Sequence, residues 1–443
     1  MNLRNAIVAR NLLQLEPVAL TVITVAFAYG SNMRRGWLWL LLLWPLFLGL
    51  RWLAHGRLLT RVPLLWPCVA LILLAALNVY AAPYTRGLEM LARPLLGLWI
   101  CWALIETARD SGSINRPLWT AALLGLLAGV LALGATEWSE SKSGQMWTVI
   151  EALPTIRNFP AFEDGFNPNE IAGALAWLAP LLVGIAAGPG HDRGLRMAAG
   201  VAGGLLLAAL VLGQSRAALV GTLGALAVLA LLLLPARRRR LAAAVLAALA
   251  GASVLFALHT MLTTSPLQPV SRETGSERDE ISIGSRFELA ANSLLIMRDY
   301  PFTGVGLSMY RDSRVRAAYP TPALNNRPPH THNELLQVGV DMGISGLVAF
   351  VWLHLETAHM LYLSWRRGSP GARTVSAAVA AGLLAHVVYG LADAITLWDR
   401  LAFVFWLMLG LAGGQYVLVQ RASEGEVVAQ GALQVGPDLP ELR

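Results

Sequence analysis

The sequence predicts an all-α polytopic membrane protein with about twelve transmembrane helices, and three observations predict it. Of its 443 residues, 56% are hydrophobic and only 14% are charged, against roughly 25% charged in soluble domains. Apolar runs of about 20 residues, the length that crosses ~30 Å of hydrocarbon, recur along the chain. One polar stretch of the chain, residues 263–333, interrupts them and is too long to be a simple turn between helices.

The runs fall near 12–30, 37–53, 62–82, 89–108, 117–135, 168–187, 195–213, 217–235, 241–262, 334–362, 374–393 and 401–419. Residues 4–28 have the charge and length of a signal peptide, but no small-x-small cleavage site follows, so they read as a retained first helix. Twelve spans place both termini on one side. The run Arg237 to Arg240 marks that side as cytoplasmic, because short loops rich in Lys and Arg stay inside. Counting short loops only, 18 Arg or Lys fall on the assigned cytoplasmic side and 7 on the other. The imbalance supports the orientation, although Arg34-Arg35 oppose it.

The chain reads as one membrane domain, 1–443, with a smaller outward loop at 136–167, a large one at 263–333 containing short helices between spans nine and ten, and a polar tail at 420–443. The formal charge of +7 does not indicate nucleic acid, since the basic residues are spread between apolar runs and form no aromatic-studded basic groove. Cys68 and Cys101 lie inside apolar runs and read as small core residues.

The small loop ends Asn167-Pro168-Asn169-Glu170, where an N-cap, a proline at the first helical position and an acid in the first turn announce the sixth span. Trp138 and Trp147 in this loop read as interfacial anchors or sugar-stacking rings. The large segment carries Arg272, Arg278, Arg286, Arg298, Arg311, Arg314, Arg316 and Arg327, a density that suits an anionic ligand. Ser285-Arg286-Phe287-Glu288 reads as a capping box opening an amphipathic helix that stops at Tyr300-Pro301. Arg286 then sits in a first turn, where the helix dipole opposes a cation at a cost of a few tenths to ~1 kcal/mol. Thr303-Gly304-Val305-Gly306 makes a turn with neither the strand nor the Lys-Ser/Thr of a phosphate loop. Thr331-His332-Asn333-Glu334 reads as a second capping box that starts the tenth span and holds an exposed His332 at the outer surface beside free N–H groups. On position alone His332 also reads as an ordinary surface residue. Gln214-Ser215-Arg216 is a very short outward turn, its arginine either a ligand or a snorkelling anchor.

Ionisable residues inside spans usually line a cavity. Arg93, four residues after Glu89, lies near the outer end of the fourth span, where binding a phosphate or sugar and joining two helices are both open. His386, Tyr389 and Asp393 share a face of the eleventh span. For Asp393, orienting a catalytic partner and capping a helix end are both open.

Together these residues resemble the O-antigen ligase and polymerase superfamily of bacterial envelopes. The resemblance is carried by Ser215-Arg216, Gly284-Ser285-Arg286, Pro301-Phe302-Thr303-Gly304-Val305-Gly306, His332-Asn333-Glu334-Leu335-Leu336 and Gly343-Ile344-Ser345-Gly346, over roughly residues 160–360. It implies a GT-C type glycosyltransferase of the inner membrane, with its site facing the periplasm and both termini cytoplasmic. An O-antigen ligase would move a polysaccharide from undecaprenyl pyrophosphate onto a sugar hydroxyl of lipid A-core. In that reaction Arg216 and Arg286 would hold the pyrophosphate, since guanidinium matches phosphate with a two-pronged fork. His332 would be the general base, having a pKa suited to neutral pH. Arg93, His330, Asn333 and Asp393 are further candidate substrate-binding residues. No cofactor and no metal are expected, because arginines neutralise the departing charge and the outward loops lack an Asp-x-Asp motif, leaving only scattered acids such as Asp279 and Glu280. An O-antigen polymerase and a protein O-oligosaccharyltransferase would use the same donor. A polysaccharide flippase would instead carry charge within its spans and internal symmetry.

Overall fold

A computed structural model describes residues 3–29, 35–81, 87–136, 156, 165–234, 238, 283–322, 330–395 and 397–434. The expected ninth span at 241–262, Trp138, Trp147, Arg272, Arg278, Asp279, Glu280 and Arg327 lie outside them.

In chain order the main helices are α1 (Leu3–Leu13), α2 (Glu16–Tyr29), α3 (Leu43–His55), α4 (Leu65–Ala81), α5 (Gly87–Ser111), α6 (Asn115–Ala135), α7 (Pro168–Ala187), α8 (Arg193–Gly213), α9 (Arg216–Leu233), α10 (Ile283–Asp299), α11 (Ser313–Ala318), α12 (Glu334–Arg367), α13 (Pro370–Gly390) and α14 (Phe403–Gln434). No strand forms among the described residues. An isolated bridge, Thr136 to Phe166, brings the two ends of the smaller loop together. The protein is a multi-pass helical membrane protein: 10 segments among the described residues are long and apolar enough to cross a membrane. The apolar helix α4, at 17 residues, falls just short of that length. The first of the ten, Arg4–Val25, runs through α1 and α2. Most of it is not buried; Ile23, with Phe27 just past its end, packs against α5.

Helix ends follow local chemistry. Asn167 caps α7 by accepting from the Asn169 N–H, with Pro168 next, as the sequence indicates. Asp192 caps α8 through the Leu195 N–H. That helix ends on Gln214 in the left-handed conformation, φ 49°, which turns the chain at once into α9. Three expectations change. Helix α10 begins at Ile283, two residues before the expected cap at Ser285. Helix α12 is capped by Asn333, whose side chain accepts from the Leu336 N–H at 3.0 Å. Thr331 instead turns its hydroxyl to the Asn333 carbonyl. The expected tail from 420 is helical to Gln434, since the first proline after Phe403 is Pro437.

Helix α14 lies along α5, and α13 along both α7 and α9. Trp406 rests directly on Gly97, where a Cβ would sit 2.0 Å from its ring. Such close contact suits a bilayer, where packing rather than water exclusion drives helix association.

The break in α12 positions the outer end of the molecule. Gly343 has φ 72° and ψ −174°, a backbone open essentially to glycine alone. The break frees carbonyls, and the Pro301–Gly306 turn docks into it: Val305 N–H reaches Val340 O at 2.8 Å, Gly306 N–H reaches Asp341 O at 3.2 Å, and Ile344 N–H reaches Pro301 O at 2.7 Å. Gly304, φ 61°, lies so close that a Cβ would meet Val340 O at 2.3 Å. Asn78 of α4 bridges the same seam, donating to Asp341 O at 2.8 Å and to Thr303 O while accepting from Leu307 N–H at 2.8 Å. The turn read from the sequence is therefore the plug of a broken membrane helix.

Candidate active site

At this outer end, just ahead of α12, the backbone turns sharply. His332 has φ 52°, a conformation rare outside glycine and costly by about 1–2 kcal/mol. It precedes the helix rather than sitting on it, and its side chain is only 10% exposed, which corrects the expectation of an exposed histidine at a helix start. The segment is held on both sides. Thr331 N–H donates to Gln337 Oε1 at 2.9 Å, and Gln337 Nε2 donates to the buried Asp341 at 2.9 Å. Asn333 donates to Leu391 O at 3.2 Å while capping α12, so both ends of this candidate binding residue are engaged with backbone.

Just beyond α13, Asp393 faces the two histidines. Its Oδ1 lies 3.2 Å from His332 Nδ1 and 3.6 Å from His330 Nε2, and it also accepts the Ala394 N–H at 3.0 Å. The imidazoles are 4.0 Å apart between centroids. Burial pushes the Asp393 carboxyl upward, but the hydrogen bond from His332, the attraction of either imidazole when it is protonated and the Ala394 N–H outweigh it and hold the group below its ordinary value, so it is ionised at neutral pH. Burial, the His332 ring and Arg311 push His330 down to about 3, against a smaller upward pull from Asp393, so His330 is neutral.

These contacts fix proton positions. His332 Nδ1 faces a carboxylate, which can only accept, so Nδ1 carries the hydrogen, and in the neutral imidazole the lone pair is on Nε2. That Nε2 is buried and has no hydrogen-bond partner among the described residues. The carboxylate–imidazole arrangement is the one that readies a histidine to take a proton.

The same reasoning addresses a metal. His330, His332 and Asp393 offer ligand atoms within 4.8 Å of one another. His330 Nδ1, however, accepts the His332 N–H at 3.2 Å, so neutral His330 bears its hydrogen on Nε2, the atom facing Asp393. A protonated nitrogen has no lone pair for a cation. The cluster fits a proton-handling site better than a metal centre.

The arginines surround this core at different depths. Arg216 opens α9, an exposed residue in a first turn, where a cation opposes the helix dipole as it does for Arg286. Gly221 of α9 lies against the Ala385 carbonyl of α13. Five residues, about 7.5 Å, therefore bring Arg216 level with the end of α13 and Asp393. Arg286 is exposed one turn before Leu289, whose side chain is buried with Ile296, Tyr310 and Val340. The structure brings His332, His330 and Asp393 into contact; among the described residues neither Arg216 nor Arg286 makes a direct contact to them.

Two arginines not singled out by the sequence lie closer in. Arg311 acts electrostatically on His330. Arg400 pairs with Glu170 of α7 at 3.2 Å. Arg93 donates to Trp398 O at 2.7 Å, fastening α5 to the link that carries Asp393, and with Arg400, Phe27, Leu96 and Phe403 it lines a small cavity of about 20 Å³. The signal for Arg311 was present in the arginine-rich segment; for Arg400 the sequence carried none, since its partner Glu170 is 230 positions away. His386 was expected on one helix face with Asp393, but α13 ends at Gly390 and Asp393 lies past it; His386 pairs with Glu334 at 2.7 Å and stacks on Trp177.

Residues 201–351 match the family model described as O-antigen ligase, so the superfamily read from the motifs and the family match coincide. The match takes in Arg216, Arg286 and His332 and stops short of Asp393. It implies a membrane glycosyltransferase of ligase or polymerase type acting on lipid-linked glycan. No curated protein matches the chain.

Proposed function

We propose that this chain is an O-antigen ligase of the bacterial inner membrane, transferring O-antigen polysaccharide from undecaprenyl pyrophosphate to a sugar hydroxyl of lipid A-core at the periplasmic face, with both termini cytoplasmic. The observation that carries the reading is the Asp393–His332 pair, which leaves a lone pair on the buried His332 Nε2. In the reaction the acceptor hydroxyl oxygen forms a bond to the anomeric carbon from the face opposite the leaving group. The carbon–oxygen bond to the pyrophosphate breaks with its electron pair, and configuration inverts. The hydroxyl proton passes to His332 Nε2, and the imidazolium is stabilised by Asp393.

The leaving group is an anion tied to a long apolar chain. Arg216 and Arg286 supply fixed positive charge on the face where it would sit. No step requires a divalent cation.

The deciding experiment is a gel of lipopolysaccharide from cells lacking the protein. Core without any polymer, together with accumulated long lipid-linked chains, is the expected result. A single repeat still attached to core would identify a polymerase instead, and unchanged lipopolysaccharide with an unglycosylated exported protein would identify a protein O-oligosaccharyltransferase.

A further inference from the structure

A second feature lies at the opposite end of the molecule. Asn78 ties one end of α4 to the broken segment of α12, so Leu65, thirteen residues earlier, is about 20 Å away across the membrane. Helix α14 leaves the outer link at Phe403, so Tyr416 is displaced by the same distance. Thr60 hydrogen-bonds through its backbone to Glu106, and its hydroxyl accepts from Arg109 at 2.8 Å, both near the far end of α5. Three elements thus place a groove lined by Arg61, Val62, Pro63, Leu65, Trp66 and Tyr416, with a volume of about 370 Å³, at the membrane face away from His332.

The neighbouring arginines are committed. Arg51 pairs with Glu16, Arg57 with Asp110 at 2.6 Å and Glu106 at 3.1 Å, and Arg421 with the Arg109 carbonyl at 3.0 Å. Arg61 is exposed and makes no hydrogen bond or ion pair among the described residues. Beside it, Trp66 is 66% exposed, an indole of the kind that settles at the level of lipid headgroups. A cation at the mouth, two aromatic rings with polar tips and an aliphatic wall match a phosphate ester followed by acyl chain. Basic pockets between transmembrane helices bind anionic headgroups by this chemistry.

We propose that this groove is a binding site for an anionic phospholipid of the leaflet opposite the His332 site, with Arg61 holding its phosphate and Trp66 and Tyr416 lining the headgroup. The proposal does not depend on the transfer reaction.

The test uses full-length purified protein in detergent, delipidated and then offered phosphatidylglycerol, phosphatidylcholine or inorganic phosphate. Retained lipid is read by native mass spectrometry and stabilisation by thermal melting. Phosphatidylglycerol should be retained and should raise the melting temperature; phosphatidylcholine should bind more weakly, and phosphate alone should do neither. Arg61→Gln should weaken phosphatidylglycerol retention about fivefold, Arg61→Lys should stay near the parent, and Arg116→Gln, on the same face outside the groove, should have no effect. Equal retention by Arg61→Gln, equal binding of phosphatidylcholine, the full effect from phosphate alone, or an equal loss in Arg116→Gln would each overturn the proposal. Should Arg61→Gln not fold, the parent decides: retention that weakens with added salt supports a headgroup contact, and salt-independent retention refutes it.

Discussion

Replacing Asp393 by Asn isolates the charge behind His332, because the amide oxygen still accepts from Nδ1–H while the negative charge is gone. When Nε2 takes the acceptor proton, the imidazolium stands 3.2 Å from the Asp393 carboxylate. That attraction is about 5 kcal/mol at an effective dielectric of ~20 and about 1 kcal/mol in bulk water. With the two side chains only 10% and 16% exposed, the value lies toward the upper limit. Asp393→Asn should therefore slow transfer by roughly 10²- to 10³-fold, equivalent to about 3–4 kcal/mol of barrier. Asp393→Glu, which keeps the charge, should lose less. The assay is single-turnover transfer of a lipid-linked glycan to purified core lipid, with enzyme saturating, so that binding does not enter. An Asn variant within threefold of the parent, correctly folded, would show that His332 does not become charged in the rate-limiting step.

Other perturbations follow from the same geometry. Arg216→Lys and Arg286→Lys keep charge but lose the fork, so each should impair use of the lipid pyrophosphate donor and each Ala variant should do so more; a donor analogue bound equally well by Arg286→Ala, with unchanged turnover, would remove that residue from phosphate binding. His330 is held neutral with a value of about 3 against an ordinary 6.5, so the unfolded chain takes up its proton first as pH falls; stability from this residue is full above pH 6.5 and declines between 6.5 and 3, and His330→Leu should flatten that slope in melting temperature. Gly343→Ala combines a forbidden backbone with a Cβ 2.5 Å from the Pro301 carbonyl and should cost more than ~3 kcal/mol, read as a lower melting temperature. Transfer should survive exhaustive chelation with the acceptor dispersed in detergent; activity lost and restored by one stoichiometric metal would return His330, His332 and Asp393, or Asp279 and Glu280, to the role of ligands.

Much of the fold was legible because a bilayer imposes length and apolarity on every crossing segment. The Asn167-Pro168 start of α7 was legible for a related reason: cap and proline act within one turn. The cap of α12 was not, since Thr331 and Asn333 are both good caps and the choice is made by a distant contact, Asn333 to Leu391. The break at Gly343 looked like any glycine in an apolar run, because its stability comes from the Pro301–Gly306 turn docking from elsewhere. In the site, His332 was readable from residue type and place. The Asp393 partnership was one of two open readings; Asp393 accepts from His332 and from the Ala394 N–H, and the latter opens no helix, so the helix-capping reading is not the one the fold uses. Arg400 was hidden, since its ion pair with Glu170 joins residues 230 positions apart.

The proposed chemistry rests most directly on His332 Nε2 as the proton acceptor. Purified His332→Ala, reconstituted with lipid-linked glycan and core lipid at matched expression and melting temperature, should transfer 10²- to 10⁴-fold more slowly than the parent while still binding the lipid-linked donor. Full activity in that variant would contradict the assignment of His332 as the base.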